Sequence, residues 1–225
     1  MIPWTHLDSA TMPGGGGELR LMRRGGEFSI MAGAIELMNS RLSGSEEALA
    51  ELAIGRLAGR AAPHVLIGGL GMGFTLRAAL KVLAPQAQVT VAELVPEVVA
   101  WARGPLAEVF AGCLDDGRVS VRVGDVGGMI EEARAAYDVI LLDVDNGPEG
   151  LTRAANDRLY DAGGLGEARR ALTPGGVLAV WSGGAHPGFT PRLKRAGFQV
   201  EETQVRARRT RGARHVVWVG VKAPS

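Results

Sequence analysis

From Pro63 onward, short apolar runs alternate with stretches of helical character, and this alternation constrains the fold more than any other feature of the chain. The strand-like runs are HVLIGG, VTVAEL, VSVRVGD, YDVILLDVD, GGVLAVWS and, near the end, HVVWVGV. Between the first five lie FTLRAALKVLA, VPEVVAWARGPLAEVF, GGMIEEARAA and LYDAGGLGEARRALT. Several of the runs are apolar at odd and even positions alike, as strands covered by helices on both faces must be. Successive β-α-β units with right-handed crossovers predict an α/β fold with a doubly wound, mainly parallel sheet. GFQVEETQVRAR and RHVVWVGV follow one another without a helix, so they are expected to close a seven-stranded sheet as an antiparallel edge hairpin.

Ahead of this region the pattern changes. Residues 1–17 end in PGGGGE, whose glycines leave the backbone loose, and are expected to form a flexible arm. Residues 18–62 predict a small N-terminal unit of a β-hairpin and a helix. Its strands flank Arg23-Arg24-Gly25-Gly26, where Gly-Gly supplies the positive φ of a tight turn. Its helix follows Ser45, with Leu49, Leu52 and Leu57 at helical spacing and Gly59 as the expected cap. Residues 63–225 then form one α/β domain.

Composition narrows the function classes. With 225 residues, 46% of them hydrophobic, the chain can bury a full core. Its net charge of +1 points neither to nucleic acid nor to an anionic membrane. A lone cysteine, Cys113, excludes an internal disulfide and is read as a buried, inert thiol. His6, His64, His186 and His215 have no metal-ligand spacing, so no metal is assigned. The N-terminus lacks the pattern of a secretory leader, and no apolar run approaches the ~20 residues that span a bilayer. The expectation is a soluble, cytoplasmic protein.

The stretch VLIGGLGMGFTLRAAL, Val65 to Leu80, places a glycine-rich turn between a strand and a helix. It lacks the Gly-Lys-Ser/Thr of a triphosphate-binding loop. A third glycine at the dinucleotide spacing is also missing, since Phe74 or Leu76 stands there. In a doubly wound sheet the ligand lies at the carboxyl ends of the strands. Those ends carry Gly68, Gly69, Gly71 and Gly73 after the first strand and Glu93 after the second. Asp125 follows the third strand, and Asp143, Asp145 and Asn146 follow the fourth. Each has a structural use too, Asp125 as a helix cap for instance. Their co-occurrence at four successive strand ends is the functional signal.

The order glycine loop, acid, Asp, Asp-rich strand end resembles the class I S-adenosylmethionine-dependent, methyltransferase-like fold. YDVILLDVDNGPEG, with LYDAGGLGEARRALTPGGVLAVWSG after it, resembles the spermidine synthase branch of that class. The resemblance covers roughly Glu18 to Ser182. It implies that Glu93 binds the ribose, that Asp125 meets the adenine amino group, and that Asp143 is the acceptor-facing carboxylate. It also implies a polyamine-type acceptor and a homodimer. The sequence departs from the branch at three places. The branch's glycine loop carries an Asp, whereas GGLGMGF has no acid; its Tyr-x-Glu stretch corresponds to SGSEEALAEL, with Ser45 near the tyrosine position; its Asp-Ser-Ser-Asp reads Asp143-Val144-Asp145-Asn146.

An acid-free loop at a helix N-terminus favours a donor that keeps its α-carboxylate. The leading expectation is therefore an S-adenosylmethionine-dependent enzyme that transfers a methyl group to a small amine-type acceptor, with Asp143, Asp145 and Asn146 catalytic. The alternative is an aminopropyltransferase using decarboxylated S-adenosylmethionine. A rival of another class is a non-catalytic nucleoside-binding module. Trp181 is read as a lid or packing residue, and the arginines between Arg206 and Arg214 as a solvated hairpin turn.

Overall fold

The computed structural model describes residues 2–57, 59–144, 147, 148, 154–208 and 211–224. The chain begins with a four-stranded antiparallel sheet of β1 (Thr5–Thr11), β2 (Glu18–Arg24), β3 (Glu27–Ala32) and β4 (Ile35–Asn39), in that order. The expected hairpin is β2–β3, turning at Gly25 with φ +60°. The stretch expected as a flexible arm instead contains β1. Asp8 in β1 accepts a 2.7 Å hydrogen bond from Trp101 Nε1, and Ala10 and Met12 are buried. Those tertiary contacts hold in place a segment that its glycine-rich continuation suggested would be loose.

Helix α1 (Gly44–Ile54) links the two sheets. It starts before Ser45, which is fully buried inside it, and ends at Gly55 rather than near Gly59. Ser45 is not a cap because its hydroxyl is engaged by side chains described below.

The larger sheet comprises β5 (His64–Gly68), β6 (Gln88–Glu93), β7 (Val119–Val123), β8 (Tyr137–Leu142), β9 (Leu172–Ser182), β10 (Phe198–Arg208) and β11 (Arg211–Lys222). Its spatial order is β10-β11-β9-β8-β5-β6-β7, parallel from β9 to β7, with β10 and β11 antiparallel at the edge. The intervening helices are α2 (Phe74–Val82), α3 (Pro96–Arg103), α4 (Ala107–Phe110), α5 (Val126–Glu132), α6 (Ala154–Tyr160), α7 (Ala162–Ala171) and α8 (Phe189–Arg195). Gly104-Pro105 splits the expected single helix into α3 and α4, because proline cannot donate to a continuing helix. Asp161 splits the last of the four expected helices, LYDAGGLGEARRALT, by capping α7 through Gly164 N at 2.8 Å.

Strand parity divides the core. Val65, Ile67, Val139, Leu141, Val177 and Ala179 face one apolar layer, and Leu66, Ile140, Leu142, Leu178 and Val180 face the other. Each side chain of the central strands thus leaves water, at ~25 cal/mol per Å² of apolar surface. A buried Asp138 fastens the far end of the sheet: it pairs with Arg60 and accepts from His64 N and Thr173 Oγ1, both at 2.8 Å. Among the described residues no helix is long and apolar enough to cross a membrane.

Candidate active site

Chain order runs outward from β5 through β6 to β7, then returns to the other side of β5 at β8. A crevice opens at such a switch point, beyond the carboxyl ends of the strands. Here it is a cavity of about 190 Å³. Its floor is the loop Gly69–Phe74, Glu93 and Asp143, with Asp125 on one side and Trp181 on the other. The small sheet closes it with Met12, Leu19, Leu37, Met38 and Asn39. The N-terminal strands therefore build part of the site as well as flanking it.

The glycines divide into two kinds. A Cβ on Gly69, at φ +86°, would lie 2.7 Å from the Asp143 carbonyl oxygen, and one on Gly73, at φ +75°, 2.5 Å from the Phe110 ring. Both are glycine because the protein packs against itself there. Gly71 meets only Met38 Sδ, at 3.4 Å, and lines the cavity; Gly68 lies in β5 beneath Val126 and Leu142. The bare turn thus serves internal packing at Gly69 and Gly73, while all three of Gly69, Gly71 and Gly73 line the cavity.

Glu93, 7% exposed, ends β6. Its Oε2 accepts from Leu70 N and its Oε1 from Val95 N, each at 2.9 Å. Burial raises its proton affinity, and those amides partly offset the rise. The amides of Leu94 and Gly71 also favour its charged form, so the carboxylate is held by backbone donors on the loop side. Asp125 lines the cavity and also caps α5, accepting from Gly127 N at 2.8 Å. Its capping and binding uses are compatible, since one oxygen suffices for the cap.

Asp143, just past β8, is partly buried and accepts from Thr75 Oγ1 at 2.7 Å. Thr75 sits in the first turn of α2. Asp145 and Asn146 lie outside the described residues. Burial pushes the Asp143 carboxyl up. Across the cavity, Glu46 in the first turn of α1 is pushed up to about 7 by burial and by the Asp143 charge. Ser45 Oγ donates to Glu46 Oε2 at 2.6 Å, and His215 Nδ1 lies 2.8 Å from Ser45 Oγ. Trp181 stacks edge-on against His215, ring centroids 4.9 Å apart, and its buried Nε1 has no hydrogen-bond partner among the described residues.

Glu46 is the site residue that sequence reasoning passed over. Its signal was the acidic pair after Ser45, in the very stretch where the missing tyrosine drew attention. Cys113, by contrast, is buried and pushed up to about 11, an unreactive thiol. Among the described residues no three metal-type side chains converge.

Residues 45–190, well over half of the chain, match the family model for the spermine/spermidine synthase domain. The polyamine aminopropyltransferase 1 of Streptomyces coelicolor is 34% identical over 155 residues, which are 64% of this chain and 28% of that protein. The polyamine aminopropyltransferase of Sulfolobus acidocaldarius is 30% identical over 117 residues, 52% of this chain and 37% of that protein. The chain thus spans well under half the length of these relatives. A solved spermidine synthase in complex with the transition-state analogue AdoDATO has a TM-score of 0.74 at 17% identity, covering 98% of this chain and 73% of that one. The spermidine synthase of Thermotoga maritima gives 0.70 at 16% identity, with the same coverage.

Proposed function

The chain belongs to the spermine/spermidine synthase family, and from that membership we propose that it is a transferase that moves an aminopropyl group from decarboxylated S-adenosylmethionine to a small amine acceptor. This replaces methyl transfer as the leading reading.

The observation that carries it is Glu46 beside Asp143 in one cavity. The glycine loop lacks an acid, but α1 supplies one from the other side. An intact donor would bring its α-carboxylate toward two carboxyl groups. For one unit charge on the pair about 5 Å away at an effective dielectric near 20, the contact costs roughly 3 kcal/mol. The decarboxylated donor keeps the ammonium without the carboxylate, and an amine acceptor is cationic too, so both suit this pair. The names of the relatives, polyamine aminopropyltransferases, point the same way.

In this reading Glu93 takes the ribose hydroxyls, Asp125 meets the adenine, and Gly71 leaves room above the loop. The acceptor ammonium gives one proton to the Asp143–Glu46 pair. The freed amine attacks the propyl carbon bonded to the sulfonium. The carbon–sulfur bond breaks with its electrons left on sulfur, and methylthioadenosine departs as a neutral thioether. Positioning supplies most of the rate, because the sulfonium is already a good leaving group; the carboxylates contribute as base.

The test is to incubate the full chain with each donor and 1,4-diaminobutane, following nucleoside products by chromatography. Methylthioadenosine formed only with the decarboxylated donor supports the proposal. S-adenosylhomocysteine from the intact donor would return the assignment to methyl transfer, and donor binding without either product would favour the non-catalytic module.

A further inference from the structure

Aminopropyl transfer to an ammonium releases one proton for each turnover, and the proton must leave a cavity capped by a second sheet. The hydrogen bonds behind Glu46 offer one way out. Ser45 Oγ donates to Glu46 Oε2 at 2.6 Å, and on its other side contacts His215 Nδ1 at 2.8 Å. Ser45 is fully buried, so water does not short-circuit the chain at that point. His215 lies in β11 next to Val216, which pairs with Ser182 at the carboxyl end of β9. The hairpin therefore carries the imidazole past the end of β9, to the level of the cavity. The ring is half-buried, its edge held against Trp181. Its Nε2 bonds to no described residue, and the side chain is partly exposed.

We propose that His215 and Ser45 form a proton exit from the active site, in which His215 receives through Ser45 the proton that the acceptor amine has left on Glu46, and passes it to water from Nε2. This inference rests on the transferase reading above. The balance is simple. Glu46 gives its proton to Ser45 Oγ as the serine proton moves to Nδ1, leaving a carboxylate, an intact serine and an imidazolium. Loss of the Nε2 proton leaves neutral His215 protonated at Nδ1, and return to the Nε2–H tautomer resets the chain for the next turnover. Burial holds the imidazole below its usual value, so it gives up the proton readily at neutral pH. The groups facing the relay are Glu46, Asp143 and Glu47 on the cavity side and Trp181 beside the ring; Arg206 and Arg214, one position along the hairpin, project from the other face of the strands. His215 and Ser45 touch no substrate here; they act through Glu46.

The experiment has two arms on the full chain. The first measures turnover of decarboxylated S-adenosylmethionine with 1,4-diaminobutane for wild type, Ser45→Ala, His215→Phe and His215→Ala. His215→Phe keeps an aromatic ring against Trp181 but cannot carry a proton. The expected result is kcat lowered about tenfold in all three variants, with KM for the donor within about twofold and activity of His215→Ala restored by added imidazole. Unchanged kcat in His215→Phe, or a loss that imidazole does not restore, overturns the proposal. The second arm needs no turnover, so it separates failure of the relay from failure of the transferase reading. Nitrogen-15 spectra of the His215 ring should shift at Nδ1 in both Ser45→Ala and Glu46→Gln. A ring indifferent to Glu46→Gln overturns the relay whatever the reaction proves to be.

Discussion

Glu46 and Asp143, one on the helix that joins the two sheets and one past the central strand β8, line a single cavity, and the charge of Asp143 adds to burial in raising the Glu46 carboxyl to about 7. Neither position is remarkable in isolation. Together they give an unliganded site that holds onto a proton near neutrality and welcomes cations.

That pairing has a consequence for stability. The folded Glu46 value lies above its ordinary 4.5, so the folded state binds the proton more tightly than the unfolded chain. Its contribution is complete below about pH 4.5 and is lost as pH rises through about 7. Allowing for partial exposure, the loss amounts to ~1–2 kcal/mol. Glu46→Gln, which cannot ionise, should melt with wild type near pH 4.5 and about 2–6 °C above it at pH 8 without ligand. Calorimetric scans at the two pH values check this; a Gln variant less stable at pH 8 would mean the carboxylate is stabilised in place.

Glu93→Ala should weaken binding of methylthioadenosine by ~1.5–3 kcal/mol, the worth of hydrogen bonds to a charged acceptor. Because Glu93 also holds Leu70 N and Val95 N, the same change should speed amide exchange at those two positions. Titration calorimetry and hydrogen exchange read the two effects separately. Undiminished affinity would remove Glu93 from the ribose site and leave it as a loop anchor.

The strands, their order of use and the acids at their ends were legible in the sequence. Parity at Val65–Ile67 or Val139–Leu142 is a local property, and chain order then fixes which residues follow each strand. That route places Glu93 and Asp143 at the cavity. Glu46 was not, because only the packing of α1 over the sheet brings it to the cavity, and nothing local records that contact. The strand β1 escaped for the same reason. Its partner Trp101 lies far along the chain, whereas the glycines at 14–17 are immediate neighbours. Gly69 and Gly73 have a second reason to be glycine that the sequence did not show: they line the cavity, and Asp143 O and the Phe110 ring also leave no room for a Cβ.

Gly73→Ala should therefore cost stability before function. A Cβ 2.5 Å from Phe110 at φ +75° is expected to lower stability by ~2–4 kcal/mol. Adding Phe110→Leu should recover part of that, since the clash is shared between the two positions. Denaturant unfolding of the single and double variants measures the coupling. Strictly additive effects would show that the ring is not what confines this position.

Asp138→Ala should be the most damaging polar change outside the cavity. It removes the carboxylate partner of Arg60 and leaves His64 N and Thr173 Oγ1 without their acceptor. With the Arg60 side chain 32% exposed and still bonded to Pro174 O, the loss is expected at ~2–3 kcal/mol, chiefly from the unsatisfied donors. Urea unfolding should place its midpoint well below that of wild type; a loss under about 1 kcal/mol would mean that water replaces Asp138 easily.

The central claim, that Glu46 and Asp143 select a donor without an α-carboxylate, is tested most directly by the ratio of two affinities. Calorimetric titration of wild type and Glu46→Gln with decarboxylated and intact S-adenosylmethionine gives that ratio in each protein. The account predicts that wild type binds the decarboxylated donor at least about tenfold more tightly, a difference of ~1.4 kcal/mol, and that Glu46→Gln reduces the preference. Tighter binding of the intact donor by wild type, or a preference untouched by Glu46→Gln, would contradict it.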